Sequence, residues 1–209
     1  MVDIIPAVIP ESFTDVEKRV RQVEGLVESF QIDVTDGEFV PSKSWPYVGG
    51  STQELKEIET PLLFEIDLMV SEPEHVIDEW IAAGADRIIV HIESTEYVEA
   101  CMRDSIEFGL AINIGTPNSA LEPYLEHIDF IQFMGIRKIG YQRQEFDSAV
   151  VEKIRHFRKN FSGILQVDGG VNKESAPLLI HAGATRLVSG SALFGARNIE
   201  EAIEELSNS

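Results

Sequence analysis

Along the chain, short apolar runs alternate with stretches whose apolar residues recur at three- and four-residue spacing. Residues 4–9 read as a first strand. Thr14-Asp15-Val16-Glu17 then reads as a capping-box start, with Val16, Val20, Val23 and Val27 as a helical stripe and Gly25 near its stop. On the second strand Ser29, Gln31, Asp33 and Thr35 share one face, and Phe30, Ile32 and Val34 share the other. A long loop runs through Trp45-Pro46 and Gly49-Gly50, after which residues 51–59 predict a short helix and 62–70 a third strand. Ser71 to Glu74 opens a helix with Val76, Ile77, Trp80 and Ile81 as its stripe and Ala83-Gly84-Ala85 as its stop. The same pattern gives strands over 87–93, 110–114, 130–136, 163–167 and 186–189. Helices are predicted over 95–108, from Thr116-Pro117 to about 127, over 147–159, from an Asn172 cap to Gly183, and over 199–206 behind an Asn198 cap.

Eight strands separated by helical segments imply parallel pairing, and eight such units fit a closed (β/α)8 TIM barrel. The expectation is a single domain over residues 1–209. An open, doubly wound sheet would more often carry a Gly-rich turn after its first strand, and this chain has none.

Composition narrows the partners more than the fold. With 44% hydrophobic and 25% charged residues the chain is ordinary for a soluble globular protein. Its apolar runs are too short for a membrane-spanning helix, and residues 2–6 lack the basic start and long apolar stretch of a signal peptide. A lone cysteine, Cys101, builds no internal disulfide framework, and cytoplasmic residence is expected. The formal charge of -19 argues against nucleic acid and anionic membrane as partners. An anionic small molecule would need a site that concentrates donors locally.

In a barrel the chemistry sits where strands finish. The strand ends offer Gln31, Asp33, Thr35 and Asp36; Glu65, Asp67 and Met69; His91 and Glu93; Asn113; Gln132 and Met134; Gln166 and Asp168. Asn113 and Gln132 fit satisfied core amides, Met134 fits a core position, and Asp33 alone would fit a strand with one wet face. Asp33, Asp67 and Asp168 aimed into one barrel mouth repel each other and need a cation, shared protons or donors. Two glycine-bearing loops, Asp168-Gly169-Gly170-Val171-Asn172 and Gly190-Ser191-Ala192, follow the seventh and eighth strands, the usual place for a barrel's phosphate site.

These motifs resemble the ribulose-phosphate 3-epimerase family over nearly the whole chain. Residues 31–41 resemble its His-x-Asp-x-Met-Asp-Gly-x-Phe-Val-Pro segment, and 65–70 resemble Asp-x-His-Leu-Met-Val. Residues 166–171 and 189–194 are similar to further family motifs, and 140–144 to its Gly-Phe-Gly-Gly-Gln phosphate loop, with Arg143 at a usual glycine. The resemblance implies an epimerase acting on a phosphorylated ketose, a pentulose or hexulose phosphate. Asp33 and Asp168 would be the catalytic pair that moves the C3 proton through an enediolate. It implies phosphate binding by Gly140, Gln142, Gly169, Gly170, Gly190 and Ser191, and a pocket with Met69, Met134, His91 and Thr35. A divalent metal is implied too.

Several positions depart from that pattern. Both ligand histidines are replaced, by Gln31 and Asp67, so the implied ligand set becomes Gln31, Asp33, Asp67 and Asp168, all oxygen. Oxygen favours Mg²⁺, Mn²⁺ or Ca²⁺ over Zn²⁺; a metal-free site with a raised carboxyl pKa is the other arrangement these residues allow. Thr35 replaces a capping methionine, and Pro10 stands where a substrate-contacting serine is expected. The departures leave two other readings open: a phosphosugar-binding barrel without epimerase activity, and a related sugar-phosphate decarboxylase or aldolase, against which the third strand's lack of lysine counts. His91 fits either the substrate's surroundings or a polar barrel rim. Trp45 fits a cover for the site or a contact to another subunit, while His75, His127, His156 and His181 fit solvated positions. Assembly as a homo-oligomer follows from the family alone.

Overall fold

The computed structural model describes residues 2–209, so the first residue of the expected domain lies outside the described residues. Eight parallel strands, β1 (Asp3–Val8), β2 (Ser29–Thr35), β3 (Leu63–Met69), β4 (Arg87–His91), β5 (Glu107–Ile112), β6 (Phe130–Met134), β7 (Ile164–Asp168) and β8 (Arg186–Ser189), close into a barrel. They pair in chain order, and β8 returns to β1 with Ile4 opposite Leu187. Helices α1 (Phe13–Val23), α2 (Ile77–Ala83), α3 (Val98–Cys101), α4 (Ala149–Arg158), α5 (Ala176–Ala182), α6 (Ser191–Phe194) and α7 (Ile199–Ser207) lie in the connections. No helix among the described residues is long and apolar enough to cross a membrane.

Each strand has two faces with different tasks. Phe30, Ile32 and Val34 of β2 point outward into the main core, where they meet residues such as Val16, Val20 and Val23 of α1. Burial of such side chains contributes roughly 1.5–3 kcal/mol each. The opposite face looks into the barrel, and there the register brings polar residues level with one another. Gln31 lies beside Glu65, Asp33 beside Asp67, Gln132 beside Gln166, and Met134 beside Asp168. Apolar filling inside the barrel is confined to small groups, Ile5, Ala7 and Val188 in one, and Ile89, Ala111 and Phe130 in another.

Lower in the barrel, charge is matched by charge. Arg87 donates through Nε to Glu107 Oε2 at 2.7 Å and through Nη1 to Ser29 Oγ at 2.8 Å. Arg186 Nη1 donates to the other Glu107 oxygen at 2.9 Å. This pairing explains the largest departure from the sequence reading. The helix expected over 95–108 shrinks to the four residues of α3, and Glu107 and Phe108 open β5 instead. The inward positions of β5 are Glu107, Gly109 and Ala111, polar or small, so the segment lacks an apolar alternation to read. Gly109 is therefore an interior strand residue, not a helix stop. A Cβ there would run into the buried Phe130 ring.

Smaller differences follow from local chemistry. The first helix is capped by Ser12, whose Oγ accepts from Asp15 N, and not by Thr14. Residues Thr52–Glu57 and Asn118–Tyr124 form 3₁₀ turns where helices were expected; Pro123 interrupts the second. Trp45 covers no site and is not exposed to another subunit. It is buried against Phe13 and Trp80, with ring centroids 5.7 Å away in each case, and donates through Nε1 to Glu54 at 2.9 Å. The expected cap at Asn198 is present. His75, His127, His156 and His181 are exposed, as expected.

Gly109→Ala is expected to destabilise the barrel by about 1–3 kcal/mol, because the added methyl overpacks a closed interior. Urea unfolding of the variant against the parent checks this; an unchanged midpoint would refute the packing argument.

Candidate active site

The C-terminal strand ends surround a cavity of about 310 Å³. Asp33, Asp168, Met69 and Met134 line it, together with the loop residues Gly140, Gln142, Gly169, Gly170, Gly190 and Ser191. Sequence reasoning placed two further side chains in this wall that the fold removes from it. Thr35 and His91 are fully buried and do not line the cavity. The β2 loop folds Phe39 against the His91 imidazole, ring centroids 5.6 Å apart, and Val40 joins Met69, Met134, Ile136 and Ile139 in an apolar cluster. Asp36 holds this loop by accepting from the backbone amides of Glu38, Phe39 and Ser71 at 2.7–3.0 Å. On β1 the residue facing the cavity is Ala7 rather than Pro10. Pro10 is buried, and its carbonyl accepts from Trp45 N at 2.8 Å.

Asp33 and Asp168 on the cavity floor and Asp67, fully buried behind them, each present an oxygen within 4.8 Å of the others. Burial raises the Asp33 carboxyl well above the usual range; the nearby charges of Asp168 and Asp67 add to this, and Gln31's hydrogen bond opposes it. Asp168 is raised to about 7, again chiefly by burial and then by Asp67, against the pull of His91 and the Gly169 amide. His91 Nε2 lies 3.1 Å from Asp67 Oδ1. Burial disfavours its charged form, but Asp67's charge and hydrogen bond outweigh burial and raise its pKa. The site thus holds an excess of negative charge that protons or a cation must offset. Three oxygen donors suit a hard divalent cation.

Gln31 does not complete that donor set. Its Nε2 donates to Asp33 Oδ1 at 2.7 Å, and its Oε1 faces away, 3.3 Å from Gln166 Nε2. The ligand set expected from sequence therefore narrows to the three aspartates. Gln132 plays the matching part for Asp67, donating to Oδ2 at 2.9 Å. Gln166 sits beneath both amides, and the two hydrogens of its Nε2 go to its two short contacts, Glu65 Oε1 at 2.6 Å and Gln132 Oε1 at 2.8 Å. This arrangement turns the Gln132 amide nitrogen toward Asp67. Glu65 is fully buried; burial raises it to about 7, while the Gln166 bond and the charges of Arg87 and Arg186 oppose the rise. Nothing in the local sequence signalled that Glu65 and Gln166 would underlie the acids, since they meet from strands 101 residues apart.

The other side of the cavity is loop backbone. Gly169 and Gly170 have φ of 94° and 70°, which L side chains rarely adopt. Added Cβ atoms would also press on Ile136 and Phe146. Ser175 Oγ donates to Gly170 O at 2.9 Å, Ser42 Oγ donates to Gly140 O at 2.6 Å, and Gly135 N donates to Asp168 O at 2.6 Å. Ile9, Tyr141 and Asn172, which also line the cavity, were not anticipated.

Comparison with known proteins agrees with this geometry. The model of the ribulose-phosphate 3 epimerase family matches residues 3–194. The chain is 31% identical to ribulose-phosphate 3-epimerase of Bacillus subtilis, with 100% of each chain covered. It is 34% identical to the chloroplastic ribulose-5-phosphate-3-epimerase of Arabidopsis thaliana, covering 97% of this chain and 75% of that one. Among solved structures, 3-hexulose-6-phosphate synthase from Salmonella typhimurium shares the fold with a TM-score of 0.75 at 13% identity, covering 99% of this chain and 97% of that one. The chain belongs to the ribulose-phosphate 3-epimerase family.

The raised Glu65 pKa has a defined effect on stability. Between its unfolded value and about 7 the folded protein holds a proton that the unfolded chain has released. Its contribution is therefore fully present at low pH and is lost as pH rises through that window. Glu65→Gln, which cannot ionise, is expected to gain about 1–3 kcal/mol relative to the parent between about pH 5 and about pH 8. Urea titrations of both proteins at the two pH values, with chelator present, check the sign; a gain at the lower pH instead would refute it.

Proposed function

We propose that this chain epimerises a phosphorylated ketose at C3, with Asp33 and Asp168 as the two proton carriers. The observation that carries the reading is one cavity with two acidic side chains on its floor and a glycine-rich loop wall opposite. Such a cavity holds a phosphate at one end and presents a sugar carbon to two carboxyl groups at the other. Membership of an epimerase family supports the same assignment.

In this reading the loops at Gly140, Gln142, Gly169, Gly170, Gly190 and Ser191 hold the phosphate. The ionised member of the Asp33–Asp168 pair takes the C3 proton, and the protonated member returns one to the opposite face. A pair with raised pKa values is suited to this exchange, because one carboxyl keeps its proton near neutral pH while the other ionises. The reverse reaction swaps the roles. Met69 and Met134 add apolar surface beside the acids and limit water at the carbon that loses its proton. Gln31 and Gln132 hold Asp33 and Asp67 in place through their amides. Asp33, Asp67 and Asp168 would hold a divalent cation, Mg²⁺ or Mn²⁺ before Zn²⁺, whose charge would stabilise the enediolate oxygens. The substrate class is a pentulose or hexulose phosphate.

Asp33→Asn and Asp168→Asn are each expected to lower C3 proton exchange by a factor of ~10² or more, while a ketose phosphate still binds. The check is NMR of ribulose 5-phosphate incubated with enzyme in D₂O and added Mg²⁺, Mn²⁺ or Zn²⁺. Undiminished exchange in Asp33→Asn would remove the two-acid assignment. Binding by the parent with no exchange under any metal would identify a phosphosugar-binding barrel instead.

A further inference from the structure

The cavity that holds the proposed phosphate site contains one cation. Among the described residues that line it, Arg143 is the sole Lys or Arg. The surrounding chain has 36 acidic and 17 basic residues. Against that background residues 137–143, Arg-Lys-Ile-Gly-Tyr-Gln-Arg, carry three cations and no acid. Two of the three are engaged. Arg137 Nε lies 2.5 Å from Asp147 Oδ2, and Lys138 Nζ sits 4.1 Å above the Tyr141 ring. Among the described residues no hydrogen bond or ion pair engages the Arg143 guanidinium, and its side chain is exposed at the cavity edge.

Its backbone makes the position more telling. Arg143 has φ 59°, and the other described non-glycine residue with positive φ is Glu72. The left-handed region is disfavoured for an L residue, and glycine occupies it without that cost. A strained arginine with no internal partner contributes nothing to stability that glycine could not better. Its neighbour reaches the same place: Gln142 Nε2 lies 3.1 Å from where a Gly190 Cβ would stand, so its amide lies over the eighth-strand loop. Side-chain donors from residues 142 and 143 thus join the backbone amides of the loops.

We infer that Arg143 is a specificity-determining residue that selects ligands bearing a dianionic phosphate, by closing its guanidinium over the phosphate oxygens at the cavity mouth. A guanidinium meets phosphate oxygens with two parallel N–H donors and keeps its charge at every accessible pH. In a strongly acidic protein it also offsets the long-range repulsion that an approaching dianion meets. The inference rests on the proposed phosphate site but not on turnover at C3.

Arg143→Gly tests it with little risk to folding, because glycine suits this φ; a thermal melt at or above the parent's confirms an intact barrel. Titration of parent and variant with inorganic phosphate, followed by calorimetry, is expected to show affinity falling on the order of tenfold in Arg143→Gly. The dependence of that affinity on ionic strength should flatten in the variant. With ribulose 5-phosphate, KM should rise by a similar factor while kcat stays within about twofold. Arg143→Lys should recover part of the affinity, since it keeps the charge and loses the fork. Phosphate affinity that is the same in parent and Arg143→Gly, or a parent that binds no phosphate, overturns the inference. Loss of phosphate affinity in a protein that turns over no ketose phosphate supports it, and leaves the epimerase reading alone to fall.

Discussion

Three carboxyl groups crowded at one end of a closed barrel set the terms for everything around them. Asp33, Asp67 and Asp168 cannot all ionise at low cost in a buried site, and burial raises Asp33 and Asp168 before their neighbours add to it. The structure answers with donors. Gln31 and Gln132 each donate an amide hydrogen to one of the acids, His91 meets Asp67 from the side, and the Gly169 amide favours the ionised Asp168. These partners hold the acids in place without removing the tension that suits them to the proposed proton transfer.

The same requirement reaches down the barrel axis. A glutamine amide pointed at a carboxylate must be kept from flipping, and Gln166 does this for Gln132 while also donating to Glu65. Arg87 lies 3.9 Å from the far Glu65 oxygen and, with Arg186, binds Glu107 below. The interior is therefore a stack of polar contacts from the floor of the cavity toward the opposite mouth. Its apolar counterpart, the large core, lies outside the strands and under the helices. Replacing one interior member leaves its partners desolvated and unpaired, which costs more than the lost bond alone.

The eight strand–helix units could be read from the chain because each strand's outer face is apolar, and the outer face dominates the pattern. Reading failed where the inner face set the sequence. Glu107, Gly109 and Ala111 gave β5 no apolar alternation, so its first residues passed for the end of a helix. Asp33, Asp168 and the loop glycines were legible as mouth residues because each stands at a strand end; the proposed roles of the two acids came from the family resemblance. His91 and Thr35 stand at strand ends as well, yet the β2 loop folds over His91 through Phe39, and both side chains are buried away from the cavity. Pro10 and Ala7 show the same limit in small. Both lie near the end of β1, and the direction of the chain as it leaves the strand decides which of them faces the cavity.

By itself the sequence determined the number and order of the strands, the side on which each polar residue lies, and the kind of chemistry the strand ends could support. Those are properties of spacing along one chain, and a period of two or of 3.6 is written into consecutive residues. The tertiary structure decided which acids meet, which amide faces which oxygen, and which end residues remain open to the cavity. Such facts depend on register between strands far apart in the chain and on loops folding over the mouth. Gln31 is the clearest instance. The family resemblance made it a candidate metal ligand, and in the folded barrel its nitrogen donates to Asp33 while its oxygen turns away toward Gln166.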